Sequence, residues 1–145
     1  MERTLESTWV FESGLEPLWN ALFDLQRWPC WWPAFRSVEA LKRGDEYGVG
    51  ASYRLDRAQE ALICEAIEPH LLELHTGQSL ARWTLSEEDN LAFVHLTLWN
   101  PGSLEILRPE ALSQGARGLS RHLKVRLVEA GSWSWTPDEP FWRGL

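Results

Sequence analysis

The sequence predicts an α+β domain in which a curved antiparallel sheet of about seven strands wraps around a long C-terminal helix, with two short helices after the first strand. Three observations carry that expectation. The opening segment "TLESTWVFE" alternates, with Leu5, Trp9 and Phe11 on one face. The middle of the chain is a series of short alternating runs separated by hairpin-sized polar breaks. After Pro109 the apolar period changes to three and four residues. Alternation marks a half-buried strand, and the 3.6-residue period marks a helix with one apolar stripe.

In chain order, the first strand gives way to "SGLEPLWNALF". Leu15, Leu18, Trp19, Leu22 and Phe23 form an i, i+3, i+4, i+7, i+8 stripe. Ser13 and Glu16 have the spacing of a capping box, and Pro17 is tolerated in a first turn. Asp24 can cap a second helix, which Pro29 and Pro33 keep very short. "AFRSVEALKR" reads as a strand, and "GDEYGVG" supplies three glycines for a turn. The runs "ASYRLDR", "EALICEAI", "HLLELHT", "SLARWTLS" and "LAFVHLTLW" follow. Their breaks "EPH", "TGQ" and "EEDN" suit hairpins, so the strands should pair antiparallel. Leu112, Ala116, Leu119, Leu123 and Leu127 then define a helix of about 20 residues, with Gly131 placed as its stop. Gly115 and Gly118 inside it cost helix stability, and glycines on a helix are often kept for a close approach. We place a single domain over 1–131 and a Trp-rich tail over 132–145.

Between the two short helices and the next strand lies "RWPCWWP", three tryptophans and two prolines in seven residues. Neighbouring helical residues point about 100° apart, and strand neighbours point to opposite faces. Burying both Trp31 and Trp32 in one core is therefore difficult, which raises the question of what the rings cover.

Composition excludes several classes. The chain has 145 residues, ten of them tryptophan, and a formal net charge of −7. An acidic protein attracts neither nucleic acid nor anionic lipid headgroups. No apolar run is long enough to span a bilayer, and "MERTLEST" lacks a secretory pattern, so no stable membrane insertion is expected. Cys30 and Cys64 lack metal-type spacing and read as reduced thiols of a cytoplasmic protein. There is no GxGxxG, P-loop, HExxH, GxSxG or CxxC, and no cofactor or metal is expected.

The blocks "EPLWNALFDLQRWPCWWP" and "VEALKRGDEYGVGASYRL", followed by "RWTLSEEDNLAFV" and "GLSRHL", resemble the helix-grip domains of the START-like superfamily, also called SRPBCC. The likeness is to its polyketide cyclase/dehydrase-like branch, and residues 131 to 145 lie outside it. The resemblance implies a pocket between the concave sheet and the last helix, with the corner after the short helix bordering the entrance. Trp31 and Trp32 would then cap the core and close the mouth. Leu119, His122 and Leu123 would face the pocket from the helix.

The sheet face depends on one turn. Taking "SEEDN" as a five-residue loop pairs Leu85 with Leu91, Trp83 with Phe93 and Ala81 with His95. Ala81, Trp83, Phe93, His95, Thr97 and Trp99 would then share the cavity face, and Leu80, Val94, Leu96 and Leu98 the convex one. A slip of one residue exchanges the two faces. Tyr53 shares a face with Ala51 and Leu55, so its hydroxyl could reach the pocket. Glu65 lies between Ile63 and Ile67, and His70 and His75 flank a turn.

The expected function is binding of a small hydrophobic or aromatic molecule, lipid- or polyketide-like, in that cavity. The alternative is a cyclase, dehydratase or aromatase in which His95 is the acid/base, with Tyr53 the only other catalytic candidate. A third reading is a protein-interaction module using its tryptophans. Because a convex apolar patch would need cover, the tail is expected to lie across it, on its own sheet or on that of a second subunit in a homodimer.

Overall fold

The computed structural model describes residues 4–57, 59–77, 79–100 and 108–135. Strand β1 (Thr4–Glu12) leads into helix α1 (Leu15–Phe23), a 3-10 turn (Leu25–Arg27) and the one-turn helix α2 (Trp28–Trp31). Strands β2 (Val38–Lys42), β3 (Ser52–Leu55), β4 (Gln59–Ile67), β5 (Leu71–Thr76), β6 (Ser79–Glu88) and β7 (Leu91–Trp99) follow. Helix α3 (Pro109–Leu123) and strand β8 (Arg126–Trp135) complete the fold. The strands form one curved antiparallel sheet in the order β2-β3-β4-β5-β6-β7-β1-β8. The α+β class, the two short helices and the long helix after β7 are as the sequence predicts.

Helix α1 buries the expected stripe: Leu15, Leu18, Trp19 and Leu22. It forms without the capping box. Its N-cap is Gly14, and the Ser13 hydroxyl donates to the Gly14 carbonyl instead of a helix N–H. In the "GDEYGVG" turn, the Asp45 carboxylate accepts the backbone N–H groups of Tyr47 and Val49. Gly48 and Gly50 take the positive φ values of 90° and 94° that such a turn demands.

The last helix is shorter than its sequence period suggests. It has 15 residues, and Lys124 (φ 57°) ends it in the left-handed conformation. Leu127 continues the 3.6-residue period but belongs to β8, which pairs with β1 from Thr4↔Trp135 to Glu12↔Arg126. Residues 132–135, expected as part of an extended tail lying across a sheet face, are instead the end of an eighth strand that runs on through residue 131. The rest of that expectation, residues 136–145, lies outside the described residues.

The β6–β7 register corrects the predicted sheet face. Asp89 and Asn90 both have positive φ, 51° and 65°, and make a two-residue turn that pairs Glu88 with Leu91. Both central residues of such a hairpin turn need positive φ, which Asp and Asn tolerate best after glycine. The five-residue loop is therefore wrong, and Trp83 pairs with Leu96, Thr84 with His95 and Ala81 with Leu98. Ala92, Val94, Leu96 and Leu98 are buried against the helices with Ala81, Trp83 and Leu85. Phe93, His95, Thr97 and Trp99 are half-buried on the outer face with Leu80.

Candidate functional site

The interior between sheet and helices is filled by aromatic side chains. Trp9, Trp28, Trp31, Trp32, Phe35 and Trp83 are all at most 4% exposed. Their rings pack mostly edge-to-face or tilted. Trp9 and Trp83 are 5.3 Å apart at 67°, Trp32 and Trp83 5.9 Å at 81°, and Trp32 and Phe35 4.9 Å at 79°. Offset and T-shaped pairs are the favoured geometry of ring quadrupoles, and each ring removes about 150–250 Å² from water.

Both tryptophans of the corner are buried, against the expectation from their adjacency. Trp31 is the last residue of α2, while Trp32 is already extended at φ −112°, ψ 103°. The chain leaves helical geometry between them, so the 100° divergence does not apply. The rings stack at 5.4 Å and 20°. Helix α3 accommodates them through its two glycines. A Cβ on Gly115 would stand 2.7 Å from the Trp32 ring, and one on Gly118 would collide with the Trp31 carbonyl oxygen. The Trp32 indole N–H donates to the Ala111 carbonyl of α3 at 2.9 Å. The corner and the helix are therefore latched together through one side chain.

Between these rings and the sheet lies a cavity of about 20 Å³, lined by Trp28, Trp32, Phe35, Leu55, Leu74, Thr76, Ala81, Trp83, Leu96 and Leu98. That is room for about one water molecule. The lining carries a single hydroxyl, that of Thr76, and the indole N–H of Trp83. The Trp83 N–H has no hydrogen-bond partner among the described residues. It is surrounded by the rings of Trp9, Trp28 and Trp32, whose π faces are weak acceptors.

Of the residues singled out in the sequence, Trp32, Ala81 and Trp83 line this cavity, and Trp31 stacks behind Trp32. Leu119 is fully buried in the core and Leu123 packs partly against it, but neither borders the cavity; His122 is exposed. Tyr53 faces inward opposite Ala61, apart from the cavity lining. Burial, and secondarily the Asp24 carboxylate, push its hydroxyl above the ordinary value. Phe93, His95, Thr97 and Trp99 stand on the outer face, as do exposed His75 and its neighbour Leu62. Glu65 is exposed, and the His70 ring bonds the Leu85 carbonyl at 3.1 Å. Sequence reasoning put Leu96 and Leu98 on the opposite face and missed Trp28, Phe35, Leu55, Leu74 and Thr76. The alternation of β5 was the available signal for the last two.

His95 belongs to an outer-face cluster of its own. Its Nδ1 lies 2.8 Å from the Thr8 hydroxyl and its Nε2 3.1 Å from Glu6 Oε1. An ionised carboxylate only accepts, so in the neutral ring Nε2 carries the proton and Thr8 donates to Nδ1. Glu6 Oε2 also accepts the Trp133 indole N–H at 3.0 Å, and the His95 and Trp133 rings are 5.9 Å apart. Nearby, the Arg82 guanidinium pairs with Glu73 and lies 5.1 Å above the Trp99 ring. These contacts tie β7, β1 and β8 together on the outside of the sheet.

An open cleft of about 430 Å³ lies between Glu12–Gly14 and the turn bearing Glu87, Asp89 and Asn90. Among the described residues no group of three His, Cys, Asp or Glu side chains is placed to hold a metal. No helix among them is long and apolar enough to cross a membrane.

A START superfamily protein from Mycobacterium smegmatis superposes with a TM-score of 0.69 at 14% identity, over 84% of this chain and 97% of that one. The Zhui aromatase/cyclase from Streptomyces sp. R1128 gives 0.67 at 16% identity, over 86% and 94%. The fold is START-like. A protein from Nitrosospira multiformis gives 0.62 at 18% identity, over 83% and 92%. No protein-family model and no curated protein matches the sequence. The START-like sheet and long helix are present here, and between them stand tryptophan rings where an open pocket was expected.

Proposed function

We propose that this START-like domain binds a small, flat, apolar or aromatic molecule at the cavity between the sheet and the Trp28–Phe35 corner. The carrying observation is the lining: nine apolar side chains and one hydroxyl, converging between the two layers of the fold. A ligand larger than water needs a ring to move, because only about 20 Å³ is open. The ring taken to move is Trp32, which lines the cavity, packs against Gly115 of α3 and makes one hydrogen bond to that helix, at Ala111. Apparent affinity is then the intrinsic affinity reduced by the fraction of molecules that are open.

The catalytic alternative loses its acid/base. His95 is on the outer face and Tyr53 lies apart from the cavity lining, so the two do not converge on one point. The packed interior favours a second reading, a scaffold whose exposed surface meets a protein partner.

Titration with N-phenyl-1-naphthylamine separates the two. Binding in the interior gives saturable probe fluorescence with quenching of tryptophan emission, and a folded Trp32→Ala variant binds several-fold more tightly because the opening step is removed. An absence of binding, or equal binding by wild type and Trp32→Ala, overturns the interior site and leaves the scaffold reading.

A further inference from the structure

The two edges of the sheet are built differently. Edge strands offer unpaired backbone groups to other chains, and proteins guard them with short length, bulges and charge. Strand β2 has all three: five residues, a bulge between Ala40 and Lys42, and the charges of Glu39 and Lys42. Strand β8 has ten residues, and from Leu127 to Trp135 the sequence "LVEAGSWSW" holds one charge, Glu129, and no proline. Serine and tryptophan alternate at its end.

Among the described residues no strand pairs with the outer edge of β8. Trp133 is 47% exposed, yet its ring is drawn inward over the sheet, to Glu6 Oε2 and the face of His95. A Cβ added at Gly131 would meet nothing within 4 Å among the described residues. The register with β1 shifts at Phe11 and Leu127, so regular pairing runs from Glu129 to Trp135.

We propose that the β8 edge is a self-association surface that takes a second copy of this chain, antiparallel, with the two-fold axis at Ser132. This register uses the whole regular stretch. Glu129 faces Trp135, Ala130 faces Ser134, and Gly131 faces Trp133 of the other copy. The two Glu129 carboxylates stand about 20 Å apart, six strand residues, which exceeds the screening length of ~8–10 Å. The joined edge is small, so the dimer is concentration-dependent, in the class of weak interfaces. This inference is independent of ligand binding in the interior.

The experiment is light scattering with size exclusion over a concentration series of the full chain. The mass should rise from 16.8 kDa toward twice that value. Gly131→Lys puts a charge into open space, so the subunit keeps its fold and should stay monomeric at every concentration. In a Cys30→Ser background, Ser132→Cys should cross-link on mild oxidation, because residues facing each other across the axis have Cα atoms about 4.5–5.5 Å apart, within disulfide reach. A monomer up to the solubility limit overturns the proposal, and so does a dimer that persists in folded Gly131→Lys. Failure of Ser132→Cys to cross-link in a preparation that is dimeric overturns the register and the proposal with it.

Discussion

Gly118 of α3 lies so close to the carbonyl oxygen of Trp31 that no side chain can stand between them. This contact, repeated one turn earlier between Gly115 and the Trp32 ring, sets how closely the long helix approaches the tryptophan corner. On an exposed helix, exchanging glycine for alanine gains up to ~1 kcal/mol. Here the sign reverses, because the added methyl must push helix and corner apart. Gly118→Ala should destabilise by about 1–3 kcal/mol, the range for overpacking. Urea unfolding checks this, and a Gly118→Ala protein as stable as wild type would show that the contact is slack.

Trp32→Ala removes the latch to Ala111 and most of one cavity wall. Large-to-small replacement of a buried aromatic costs about 3–5 kcal/mol. The lower melting temperature should be partly restored by an apolar probe that fills the new space, since a ligand binding only the native state stabilises it. Thermal unfolding with and without N-phenyl-1-naphthylamine gives both numbers.

Tyr53 supplies a prediction on pH. Its folded-state value is raised, first by burial and then by Asp24, so the native state holds the phenolic proton longer than the unfolded chain. The contribution to stability is complete below the unfolded value near 10 and is lost as pH rises through the folded one. Absorbance titration should show a late phenolate step that Tyr53→Phe abolishes. Asp24→Asn should move that step to lower pH, by less than the full displacement because burial is the larger cause.

His95→Gln should leave probe binding in the interior unchanged, since the ring lies on the other side of the sheet. It removes the carboxylate bond that helps hold Glu6 between β7 and β8, at a cost of about 0.5–1.5 kcal/mol for one hydrogen bond. Amide exchange across Thr4–Thr8 should quicken. A large loss of probe affinity would contradict the register.

How much of this could be read in advance follows from where the information lies. The α1 stripe and the β1 alternation are local patterns over nine residues, and they survive in the structure. The β6–β7 face was lost to one ambiguity: after "SEEDN", Val94, Leu96 and Leu98 on one parity and Phe93 and Trp99 on the other are both apolar, so hydropathy could not choose. Only the tolerance of Asp89 and Asn90 for positive φ distinguished the two-residue turn. Strand β8 was hidden because Leu127 prolongs the helical period of Leu119 and Leu123. The stop at Lys124 is a left-handed cap on a non-glycine residue, which leaves little trace in sequence. The filling of the interior was the least legible feature. It depends on the helix ending between Trp31 and Trp32, and on the glycines of α3 meeting them from the far end of the chain.

The central claim, that a ligand enters beside Trp28, Trp32 and Trp83 by displacing a ring, is tested most directly by fluorine NMR of 5-fluorotryptophan-labelled protein. Single Trp→Phe variants assign the resonances, and N-phenyl-1-naphthylamine is the titrant. The account predicts that the Trp28, Trp32 and Trp83 signals shift together and saturably, with Trp32 moving most, while Trp133 stays in place. A titration in which Trp133 alone responds, or in which no buried tryptophan moves, would contradict it.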